Sequence, residues 1–118
     1  MNYKERLEKL DRLSENFKED YSTQERAKIK QAKFMFNKVR DLIGRKEIID
    51  AHILYKQMFN MLKNIKPFPI IFEDFLDHLE IYAEDPEKMT VKGRAPTQGQ
   101  AIFYNKMDRV RTWLNDNS

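Results

Sequence analysis

Apolar residues return at steps of three and four through most of the chain, the signature of helices that bury one stripe and wet the rest. Tyr3, Leu7, Leu10, Leu13, Phe17 and Tyr21 form the first stripe and predict a helix over 2–20. Ser22-Thr23-Gln24-Glu25 then has capping-box spacing, in which the serine hydroxyl and the glutamate carboxylate each satisfy a free backbone amide. The helix it opens, over 23–43, carries Ile29, Ala32, Phe36, Val39 and Ile43, with Gly44 as its expected left-handed C-cap. A third helix over 47–65 spreads Ala51, Leu54, Tyr55, Met58, Phe59, Met61, Leu62 and Ile65 across nearly half its circumference, which marks it as the central helix.

Pro67 and Pro69 break the pattern, because proline lacks an amide proton and keeps the preceding residue out of helical dihedrals. A fourth helix over 70–84 buries Ile71, Phe72, Phe75, Leu76, Leu79 and Tyr82. Periodicity lapses over 85–99, where Pro86, Gly93, Pro96 and Gly99 predict one long mobile loop. It resumes over 98–115 with Phe103, Met107, Val110, Trp113 and Leu114. The expectation is an all-α, compact single-domain bundle of about five helices spanning 1–118, since 118 residues suffice for one shared core.

Composition narrows the chemistry. Cysteine is absent, which excludes disulfides, thiolate catalysis and cysteine-ligated metals and fits a reducing cytoplasm. No apolar run approaches the length of a membrane span, so no membrane association is expected. Lysine outnumbers arginine fourteen to eight, and Asn, Ile and Phe are frequent, a bias that points to an AT-rich genome such as a low-GC bacterium, a phage or another mobile element.

Charge is sorted along the chain in a way that the net +3 conceals. Residues 22–46 hold eight basic and two acidic side chains, residues 67–87 none and seven, and residues 88–118 six and two. Such blocks create one-signed faces that suit charged partners. Arg26, Lys30, Lys33 and Arg40 fall on one line of the second predicted helix and make a basic ridge able to follow a phosphate backbone. Lys92 and Arg94 in the loop, with Arg109 and Arg111 in the last helix, add a second basic cluster, there interleaved with Tyr104 and Trp113.

Glu73, Asp77, Glu80 and Glu84 form an acidic ridge on the fourth predicted helix. It could repel nucleic acid, hold a divalent ion, receive a basic protein surface, or meet the basic ridge of another copy in a charge-steered homodimer. Phe34 and Ile81 fall off their helices' stripes and are candidate apolar anchors for a protein partner, alongside Asp77, Glu80 and Glu84. His52 and His78 lack the companions of a metal site or a catalytic dyad, and no serine sits in a nucleophile elbow. The expected protein is therefore not an enzyme and has no catalytic residues, metal or cofactor. The leading reading is a small accessory protein that contacts DNA or RNA phosphates, and its rival is a protein-binding adaptor or inhibitor that uses the acidic helix.

Overall fold

The computed structural model describes residues 21–89 and 98–118. The expected helix over 2–20, and residues 90–97 of the expected loop with Lys92 and Arg94, lie outside the described residues. Among the described residues the fold is all-α, with four helices and no strand: α1 Thr23–Gly44, α2 Ile48–Leu62, α3 Ile71–Glu84 and α4 Gln98–Asn117. A 3-10 turn, Pro86–Met89, takes up part of the stretch expected to be loop. It is anchored, because Met89 is buried and the Gln100 amide donates to the Lys88 carbonyl at 2.7 Å.

The capping box at the start of α1 forms as its sequence dictates. Glu25 N–H donates to the Ser22 hydroxyl at 3.1 Å, and Ser22 N–H donates to Glu25 Oε1 at 3.0 Å. The second oxygen of Glu25 accepts the Lys66 amide at 3.0 Å, which ties this helix start to the segment between α2 and α3. These backbone amides hold the Glu25 carboxyl below its ordinary range, Ser22 contributing most and Lys66 next. Beside them, the Tyr21 hydroxyl donates to the Pro67 carbonyl at 2.6 Å, across a cis Lys66–Pro67 peptide.

The end of α1 differs from expectation. The left-handed residue is Lys46, with φ 63°, not Gly44. Lys46 N–H donates to Ile43 O and Glu47 N–H to Leu42 O, the paired bonds of a Schellman motif whose left-handed position falls two residues beyond the glycine. Gly44 thus supplies conformational freedom where an ordinary helical residue would serve, and a β-carbon there would meet nothing within 4 Å. Gly44→Ala is accordingly expected to stabilise the protein by about 0.5–1 kcal/mol, read as a rise in melting temperature. An unchanged or lower value would contradict this account of the turn.

The helices run antiparallel in chain order. Phe36 meets Tyr55, Tyr55 meets Phe75, Tyr82 meets Phe103, Phe72 meets Trp113, and Trp113 meets Tyr21, all as edge-on ring pairs with centroids 5.0–6.0 Å apart. Each helix packs chiefly on two others, α1 on α2 and α4, and α3 on α2 and α4. This ring corrects the expectation of a central helix. The broad apolar face of α2 serves two neighbours, and its outer side leaves Ile49 and Ile53 exposed. The α1–α2 pairing is the most extensive, and the fully buried Ala32 and Ala51 allow the two backbones to approach closely. Helix α2 also ends at Leu62, three residues early, because the chain turns ahead of Pro67 and swings Ile65 into the core.

Candidate functional site

Side-chain contacts settle which flank of each helix meets which neighbour. His52 and Phe59 face α3 and its preceding segment, since His52 Nε2 lies 3.6 Å from Glu80 Oε1 and the Phe59 and Phe68 rings are 5.3 Å apart. On α4, Lys106 and Trp113 face α3, with Lys106 Nζ 3.0 Å from Asp74 Oδ1 and Trp113 5.3 Å from Phe72. The opposite flanks, Leu54 and Met61 of α2 and Met107 and Arg111 of α4, are therefore turned toward α1. Right-handed helices in antiparallel order then leave one solution. Helix α1 meets α2 through Ala32, Met35, Val39 and Leu42, and it meets α4 through the flank that carries Lys33 and Arg40.

The basic ridge consequently follows the α1–α4 groove. Arg26 and Lys30 are exposed on its outer lip, while Lys33 and Arg40 are half-buried along the seam. From Arg26 to Arg40 the line is about 21 Å long at 1.5 Å per residue. Arg111 approaches the same groove from α4, but it is engaged by Asp108, whose Oδ1 accepts from Nη2 at 2.6 Å and from Nε at 3.0 Å. Arg109 is two residues away and hence on the far flank of α4, so the two arginines do not act on one surface. Of the eight expected phosphate contacts, five share this groove, one is separated from it, and Lys92 and Arg94 lie outside the described residues.

The acidic ridge stands on α3, which is diagonal to α1 in the ring. Glu73, Asp77 and Glu84 are exposed, and Glu80 is half-buried beside His52. The ridges thus point to opposite sides of the bundle. Phe34 and Ile81 are separated in the same way, 63% and 49% exposed on α1 and α3 respectively, so a single docking face does not hold both.

The histidines sit among rings and helix seams. His78 stacks on Tyr82 and meets Phe103 edge-on, and among the described residues its buried Nδ1 finds no hydrogen-bond partner, nor does the buried Nε2 of His52. Burial first and Lys106 second draw the His78 pKa below its ordinary value, against a smaller opposing effect of Asp74. Asp74 itself bonds Lys106. Among the described residues no group of three or more His, Asp or Glu side chains is placed to hold a metal ion, and no helix is long and apolar enough to cross a membrane.

Two residues that belong to these surfaces escaped the sequence pattern. Lys38 is exposed one turn beyond Phe34, and Ile102, 44% exposed, lies one turn before Lys106 on the flank of α4 that faces α3. Spacing could have found Lys38; Ile102 needed the α3–α4 pairing. The described residues thus form an up-down four-helix bundle, with the basic ridge on α1 and the acidic ridge on α3 turned to opposite sides. No protein-family model, curated protein or solved structure matches the chain.

Proposed function

We propose that this is a cytoplasmic, non-enzymatic accessory protein of a phage or other mobile element that contacts nucleic-acid phosphates along the α1–α4 groove. The observation that carries this reading is the line of Arg26, Lys30, Lys33 and Arg40, with the neutral Asn37 in the gap between the last two and the acidic ridge turned to the opposite side. Over some 21 Å, a nucleic-acid strand offers a phosphate every ~3.4 Å or so of helix axis, enough to engage all four cations. Contacts of this kind position a protein without reading bases. The acidic side of α3 would favour the orientation in which α1 leads.

Fluorescence anisotropy of labelled single- and double-stranded DNA and RNA tests the proposal. Micromolar binding is expected at low salt. If four phosphates are neutralised on duplex DNA, affinity falls on the order of a hundredfold between about 50 and 200 mM salt. Lys30→Glu with Lys33→Glu should abolish binding without lowering the melting temperature. Absence of binding at the lower salt would overturn the reading.

The second reading, an adaptor or inhibitor docking a protein on Asp77, Glu80, Ile81 and Glu84, is favoured by the exposure of Ile81 within an acidic surface. Asp77→Lys with Glu80→Lys would then remove partner capture and leave nucleic-acid binding intact.

A further inference from the structure

Helix α1 has, besides its basic ridge, an outward face diametrically opposite its buried stripe. Phe34 stands at the middle of that face, 63% exposed, with Lys30 one turn before it and Lys38 one turn after. An aromatic ring held in water between two lysines forgoes the burial that makes such rings worth about 1.5–3 kcal/mol elsewhere. The α3 side offers the converse. Ile81 is 49% exposed with Asp77 one turn before and Glu84 one turn after, and Ile102 of α4 lies on the adjoining flank. Each apolar centre is flanked on its own helix by like charges, positive on α1 and negative on α3; on the adjoining flank of α4, Lys106 is paired with Asp74 and Arg109 adds one exposed cation.

We infer that these two surfaces are halves of one contact between copies of this chain, in which the Phe34 face of one molecule docks on the Ile81–Ile102 face of the next. The complementarity of charge and of apolar centres selects a second copy as occupant, and every molecule presents both halves at equal concentration. The halves lie on opposite sides of the bundle, so a twofold pair cannot bring both together at one interface. The contact is head-to-tail and leaves a free half at each end, which makes assembly open-ended. Lys30 belongs to both this face and the phosphate-contacting line, whereas Phe34 and Lys38 belong to this face alone, and the inference does not require that reading.

Sedimentation velocity on nuclease-treated, full-length protein from micromolar to millimolar concentration tests it, because no nucleic acid is then present as a scaffold. The average mass should climb beyond that of a dimer and fall back between about 50 and 300 mM salt, as screened charge pairs require. Phe34→Ser with Lys38→Ser removes the apolar centre and one charge from one half, and Asp77→Lys with Ile81→Lys disables the other, so the two altered faces do not attract each other. Each variant alone should be monomeric, and an equimolar mixture should form a one-to-one pair and stop there, since each variant supplies the half the other lacks. Recovery on mixing also shows that both variants are folded. A wild type that stays monomeric throughout, a saturating closed dimer, or either variant assembling alone would overturn the inference. The Asp77→Lys, Ile81→Lys variant should retain nucleic-acid binding, so the two proposals fail separately.

Discussion

Replacing Phe75 by alanine is expected to cost about 3–5 kcal/mol, a large share of the roughly 5–15 kcal/mol that holds a domain of this size together. The reason is its place at the meeting point of all four helices. Phe75 is fully buried, and its ring receives one ring from each of the other three: Phe36 of α1 at 5.7 Å, Tyr55 of α2 at 5.0 Å and Phe103 of α4 at 5.3 Å. Truncation removes the transfer free energy of the ring and three aromatic contacts, and it leaves a void that no single helix can fill by shifting without opening another seam. Urea unfolding monitored by circular dichroism measures the loss. Phe34→Ala is the control, because that ring is largely exposed on the outer face of α1 and its removal should change stability by no more than about 0.5 kcal/mol. Equal effects at the two positions would refute the placement of Phe75.

The second large effect is expected in alkali. The hydroxyl of Tyr55 is sealed between α2 and α3, where it donates to the Phe72 carbonyl at 2.8 Å, and burial pushes its pKa well above the ordinary tyrosine value. Tyr21 is pushed up to about 12 by burial and, secondarily, by the neighbouring Glu25 carboxylate. The unfolded chain loses these protons near pH 10 while the folded one keeps them. The two tyrosines therefore leave stability unchanged below about pH 10 and lower it above, as ionisation draws molecules into the unfolded state. Through Tyr55 alone the slope approaches about 1.4 kcal/mol per pH unit until the folded-state pKa is reached. Tyr55→Phe should cost about 1 kcal/mol at neutral pH through the lost hydrogen bond and then lose stability less steeply in alkali. Denaturant midpoints measured across that range should draw together; parallel curves would show that Tyr55 takes no part.

The helices were legible in the sequence because each had to bury one stripe in a shared core, and a stripe at 3.6-residue spacing leaves a one-dimensional trace. Ile29, Phe36 and Val39, or Phe72, Phe75 and Leu79, could be read as inward-facing with no knowledge of their neighbours. The turn after α1 was less so. Glycine at 44 offered an inexpensive left-handed residue, but the Leu42 and Ile43 carbonyls are capped from Glu47 and Lys46, and that geometry is set by how α2 returns along α1. The arrangement of α2 departs from expectation for a related reason. A wide apolar face is equally well explained by a central position and by two neighbours, and only the ring of contacts separates them.

Charged surfaces divide along the same line. The periodicity of Arg26, Lys30, Lys33 and Arg40 reveals a ridge, yet the groove it borders depends on the handedness of the whole bundle. Arg109 and Arg111 look equivalent in sequence. The structure separates them, because one turns to the α3 side while the other is held by Asp108 on the flank toward α1.

The division of charge between α1 and α3 also acts before anything is touched. A body with its cationic and anionic groups on opposite sides has a permanent dipole moment, and a polyanion exerts a torque on it as well as a pull. Within the last ~10 Å of approach to the polyanion we propose as partner, where salt no longer screens the field, that torque would turn α1 forward. The angular search that usually slows protein association would thereby be shortened, with the benefit in the rate of encounter more than in the lifetime of what forms.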